Sequence, residues 1–206
     1  MDNDYAERLA AKLAPGSTFL ALSRAGSFLC AYELIRSEIV DGVHNFFGRG
    51  FDETGLLYDE AEYQRSVLAR NPKSKYRASC AWLVEMGALT VKQIAVLEDI
   101  YRHRQEIAHE LPKLLIDPDF EVRTDLLQAA VKCIQRLGVF WGSIEVDTNP
   151  DFDGADADCE SIKSGSMLLM EHLLSIIESI DSAIADGASP RDGSACVQAD
   201  PPKNET

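Results

Sequence analysis

Four side chains that can grip phosphate or move protons crowd into Tyr101–Leu111, "YRHRQEIAHEL": Arg102, His103, Arg104 and His109. Imidazole titrates near neutral pH, so it can take up a proton and return it. The planar guanidinium fork matches two phosphate oxygens at once. Held together, the two groups could fix a phosphodiester and carry the protons that a 2′-hydroxyl attack displaces. On a helical wheel of about 100° per residue, Ile94, Val96, Leu97, Ile100, Tyr101, Ile107, Ala108 and Leu111 form one apolar arc, with Arg104 near its middle. A guanidinium there calls for a carboxylate or a phosphate. Glu98, Arg102, Gln105 and His109 share the neighbouring polar edge, where Arg102 and His109 lie about 10.5 Å apart along the axis. Two structural readings stand beside the chemical one. Arg104 would pair with an acid on another helix, and His109 would serve as a cation at a helix C-terminus.

Arg104-Gln-Glu-Ile-Ala-His109 resembles the R-x4-6-H signature of the HEPN superfamily, in which "RN-x-I-A-H" is a common form. The match covers the arginine, the Ile-Ala pair and the histidine. Gln105 stands where the family commonly has Asn, Asp or His. Arg102-His103-x5-His109 offers a second, overlapping register that restores the polar follower. The Arg104 register is preferred, because its layout is the commoner one and its place in the stripe calls for a partner. The resemblance implies an all-α, HEPN-like helical bundle that forms a homodimer, so that two motifs face one cleft. It implies a metal-independent endoribonuclease that needs no cofactor, with His109 as acid–base and Arg104, or Arg102 in the other register, on the scissile phosphate. RNA would be the substrate of such a toxin or defence effector, and an antitoxin or regulatory protein a further partner. Because the superfamily has non-catalytic members, a helical adaptor that binds RNA or a protein is the rival expectation.

The elements around the motif are predicted from apolar spacing at three and four residues. Helices are expected over Tyr5–Leu13, Ser27–Phe47, Tyr58–Arg70, Lys75–Met86, Thr90–Leu111, Phe120–Glu145 and Ser161–Ala185, with "GRGFDETG" as a loop and no strands. Thr90 and Gln93 fit a capping box. Pro15 and Pro112 are expected to close the helices before them. The stretch Gln64–Arg77 holds Arg65, Arg70, Lys73, Lys75 and Arg77 without an acid, a pattern able to track a phosphate backbone.

The chain of 206 residues carries a formal charge of -14, which weighs against nucleic acid as a partner. Residues 146–206 hold 13 acids and 3 bases, however, against 21 and 17 in residues 1–145. The body is therefore close to balanced. Apolar content of 46% is enough for a folded core. One HEPN-like domain is expected over residues 1–186, followed by a disordered tail over 187–206 that has too few apolar side chains to offset ordering. The five scattered cysteines lack a C-x-x-C pair, and no segment reads as a signal or membrane span, so a soluble cytoplasmic protein is expected. Asn149–Glu160, "NPDFDGADADCE", follows most of the calcium-loop template. Its Asn and Pro at positions one and two, its Asp at eight and the lack of a second loop favour a solvated connector. His44 and His172 have no companion ligands at metal spacing, and no metal site is expected.

Overall fold

The computed structural model describes residues 3–53, 55–152 and 163–185. Pro15 opens the longest element instead of closing the first. Helix α1 (Asn3–Lys12) ends three residues earlier, and α2 runs from Pro15 to Asn45, with its proline in the first turn. There the missing N–H has no helical partner to lose, and the fixed φ suits a helix start. Pro112 does the same for α6 (Leu111–Ile116), after α5 (Val91–His109) has ended at Glu110.

At 31 residues α2 is about 46 Å long. Phe28, Ala31, Ile35, Ile39 and Val43 line its fully buried side. Around that stripe pack α4 (Lys75–Glu85), α5, α7 (Thr124–Thr148) and α8 (Gly165–Ala185). They contribute Leu83, Leu97, Ile100, Ile107, Ile134, Leu137 and Met170 to one core. The all-α bundle expected from the periodicity is what forms. Among the described residues, no helix is long and apolar enough to cross a membrane.

"GRGFDETG" is not a plain loop. β1 (Gly48–Asp52) and β2 (Gly55–Tyr58) pair antiparallel, with a register shift between Gly48 and Gly50. Neither strand alternates apolar with polar residues, and Phe51 is 81% exposed, so periodicity gave no strand signal here. Beyond the hairpin, the helix expected over Tyr58–Arg70 shortens to α3 (Glu60–Ser66), capped by Asp59, plus a 3-10 turn over Leu68–Arg70.

α4 ends in a left-handed Gly87 (φ 76°). The amides of Gly87 and Ala88 reach back to the carbonyls of Val84 and Leu83, which closes the helix as a Schellman turn. Arg136 of α7 donates to the carbonyls of Ala88 (2.6 Å) and Gly87 (3.1 Å), fixing the α4–α5 corner from outside. The end of the expected domain at 186, the tail 187–206 and most of the Asn149–Glu160 loop lie outside the described residues. At the loop's start, Asn149 accepts the Asp151 amide at 3.0 Å and donates to Glu145 at 2.9 Å.

Candidate functional site

α5 is set by the expected capping box: the Gln93 amide donates to Thr90 Oγ1 (3.3 Å) and the Thr90 amide to Gln93 Oε1 (2.8 Å). Its buried residues are Leu97, Ile100, His103 and Ile107. The apolar arc drawn from sequence also counted Tyr101 and Ala108, but both are exposed. The true centre of burial is therefore rotated away from them, so that Arg104 sits on the rim of the buried face and His103 lies within it.

His103, only 4% exposed, stands edge-on to the Phe28 ring with centroids 4.9 Å apart. Its Nε2 accepts the backbone N–H of Arg123 at 3.0 Å, which fixes the hydrogen on Nδ1, 2.9 Å from a Glu106 carboxylate oxygen. This histidine ties α5 to the start of α7 and has no free nitrogen for chemistry. Sequence reasoning counted it only as a chemical side chain and as the polar follower of Arg102; the signal of its burial was its spacing of three and four residues from Ile100 and Ile107.

Arg104 leans onto α2. Its Nη2 lies 3.1 Å from Glu33 Oε1, Nη1 donates to Gln105 Oε1 at 3.0 Å, and the guanidinium carbon stands 5.5 Å from the Tyr32 ring centroid. The carboxylate of another helix does pair with it. Gln105 in turn donates to the Tyr101 hydroxyl at 2.7 Å. His109 is exposed at the last turn of α5, and no hydrogen bond or ion pair among the described residues engages it. Arg102 is exposed and paired with Asp99. A five-residue step turns the helix by about 140°, whereas a seven-residue step nearly restores direction. Arg104 and His109 therefore diverge within one chain, while Arg102 and His109 share the outer face.

Beside Arg104 lies a cleft of about 480 Å³ between α2, α4 and α5. Tyr32 and Arg36 come from α2, Glu98 and Tyr101 from α5, and Tyr76 and Arg77 from α4. The connector before α4 adds Lys73, held by an Asn71 side chain that accepts the Lys73 amide at 3.2 Å. Three cations thus face one acid, Glu98, which stands 3.5 Å from Arg77. Arg36 and Lys73 have no carboxylate partner among the described residues. Burial raises the Tyr32 hydroxyl pKa, with Glu33 adding to it. The Tyr76 hydroxyl is buried with no oxygen or nitrogen partner, only the weak Cys80 thiol beside it; burial first, then that thiol, drives its pKa far above the usual phenol value.

The basic stretch divides. Lys73 and Arg77 line this cleft, whereas Arg65 pairs with Glu62, Arg70 with Glu85, and Lys75 borders a separate hollow with Gln64 and Leu68. A further hollow of about 360 Å³ carries Arg8, Lys12 and Arg24, but each is met by an acid: Asp119 at 2.8 Å, Glu121 at 3.9 Å and Asp181 at 2.6 Å. Of these three hollows among the described residues, the one between α2, α4 and α5 combines uncommitted cations with aromatic rings. Among the described residues, no group of three or more His, Cys, Asp or Glu is placed to hold a metal ion. His44 contacts Glu60 at 2.9 Å and stacks on Tyr58. The chain matches no protein-family model, no curated protein and no solved structure.

Proposed function

We propose that the chain is a helical RNA-binding module that holds single-stranded RNA in the cleft between α2, α4 and α5. The observation that carries this reading is the convergence of Tyr32, Tyr76 and Tyr101 with Arg36, Lys73 and Arg77 around one opening. Unpaired bases stack on aromatic faces, and nearby cations track the backbone. α5 forms one wall through Glu98 and Tyr101, and the resemblance of its "RQEIAH" to the HEPN signature favours RNA over other polyanions. The described cysteines Cys30, Cys80 and Cys133 are free thiols, in keeping with a cytoplasmic setting. Fluorescence anisotropy with a labelled oligouridine tests the reading. Lys73→Ala and Arg36→Ala are each expected to lower the salt slope by about 0.7. Tyr101→Ala is expected to weaken binding by about 1–3 kcal/mol. Binding that ignores all three changes would sink the proposal.

A second reading, the metal-independent ribonuclease, draws support from His109. It is unpartnered, exposed and on the same face as Arg102, so a second copy could complete a site there. α8 offers a surface for such a homodimer, since Leu168, Leu169 and Ile176 face outward from its contacts with α2 and α7. In that case the chain acts as a toxin or defence effector restrained by an antitoxin or regulatory protein. Cleavage would persist in chelator, leave cyclic phosphate and 5′-hydroxyl ends, and vanish in His109→Ala. Comparing Arg102→Ala with Arg104→Ala would assign the register.

A further inference from the structure

The carboxylate that meets Arg104 is one that can leave. Glu33 offers it a single hydrogen bond of 3.1 Å instead of the two-oxygen fork that a guanidinium prefers. The Glu33 side chain is 51% exposed, so it can swing into water at little cost in stability. Arg104 cannot follow as easily. Its own side chain is 30% exposed, lies over the Tyr32 ring and donates to Gln105. Its Nε is buried without an acceptor, so Glu33 and Gln105 leave part of the guanidinium's donor capacity unmet. Tyr32, beneath the guanidinium, also lines the cleft, as does Arg36, one helical turn from Glu33.

We propose that Glu33 is an internal stand-in for phosphate. It occupies Arg104 in the free chain and yields it when a backbone phosphate of the bound strand arrives. This rests on the reading that the cleft binds RNA, and it names the residue that sets its affinity. The exchange trades one exposed, single-bonded carboxylate for a phosphodiester that can accept two N–H groups of the fork. Glu33 therefore acts as a competitor tethered to the site. Weak anions fail to displace it, while a strand anchored at Arg36 and Lys73 presents its next phosphate at high local concentration.

The test uses the full chain and a fluorescein-labelled oligouridine. Glu33→Gln keeps the shape and removes the charge, and Glu178→Gln removes the same charge from the exposed side of α8. Glu33→Gln is expected to tighten binding about fivefold and Glu178→Gln less than about twofold. The gain should disappear once Arg104→Ala is added. Equal gains in the two single variants, or a gain that survives Arg104→Ala, overturn the proposal. A second readout needs no RNA: phenylglyoxal modification of Arg104, followed by peptide mass mapping, should run several-fold faster in Glu33→Gln than in the unaltered chain. An unchanged rate overturns the proposal. Absence of RNA binding in every variant sinks the RNA reading and leaves the Glu33 exchange decided by the modification rate alone.

Discussion

The two histidines of α5 separate cleanly by what their removal should do to the fold. His103→Ala deletes a side chain that is 4% exposed and packed edge-on against Phe28. Truncating a buried ring of this size leaves a cavity worth about 2 kcal/mol or more. The Arg123 amide also loses its acceptor at the N-cap of α7, which has no side-chain cap to replace it. That orphaned donor adds about 1 kcal/mol, the lower end for an unsatisfied amide because water can reach the exposed Arg123. The total is about 3 kcal/mol, or a fall of roughly 6–12 °C in Tm for a domain of this size. His109→Ala removes an exposed ring that has only the helix dipole to lose, about 0.3–1 kcal/mol. Urea titrations followed by far-UV circular dichroism give both values on one scale. A cost below about 1 kcal/mol for His103→Ala, or a larger cost for His109→Ala, would refute the assignment of His103 as the structural histidine.

Gly42→Ala should destabilise by about 1–3 kcal/mol in the same titration, because its Cβ would fall 2.8 Å from the Trp141 indole nitrogen, which is itself bonded to the Glu38 carbonyl. Burial pushes the Cys80 and Cys133 thiols up to about 12 and about 11, so at pH 8 roughly one thiol in ten thousand and one in a thousand is ionised. Peptide mapping after brief N-ethylmaleimide treatment should therefore find the half-buried Cys30 labelled ahead of both; equal labelling would contradict their burial. Sedimentation at micromolar concentration should show a dimer that Ile176→Glu converts to monomer, and a monomeric unaltered chain would remove the support for a composite His109 site.

The bundle was legible because seven stretches of the chain repeat their apolar residues at helical spacing, and tertiary packing kept that pattern. The helices before Pro15 and Pro112 do end near them, but the helix starts at these prolines were missed for one reason. Proline both ends one helix and starts the next, and its ring alone does not say which side continues. The hairpin at Gly48–Tyr58 escaped because its strands bury almost nothing. Within the candidate site, Arg104's need for an acid was readable from its place near the stripe, but Glu33, 71 positions away, was not nameable without the packing of α2 on α5. The cleft was half visible. Lys73 and Arg77 stood out in a stretch without acids, while Tyr32, Arg36 and Tyr101 looked like ordinary helix residues until three helices brought them together.

The chain's charge of -14 bears less on the cleft than its size suggests. Charges more than about 8 Å apart across solvent are largely screened at physiological salt, so the immediate neighbours decide. The acids in and around the motif are already engaged: Glu33 by Arg104, Glu98 by Arg77, Asp99 by Arg102, Glu106 by His103 and Glu110 by Lys113. What remains uncommitted on that side is Arg36 and Lys73, both positive and both beside tyrosine rings. On the outer face of α5 the uncommitted group is His109. One helix thus presents two different offers about 140° apart, a cationic aromatic wall toward α2 and a lone imidazole toward solvent. Binding a strand requires only the first. Cutting one requires the second to meet a cation and a phosphate, and since Arg104 points the other way, that cation must be Arg102 on the same face or an arginine of a second copy.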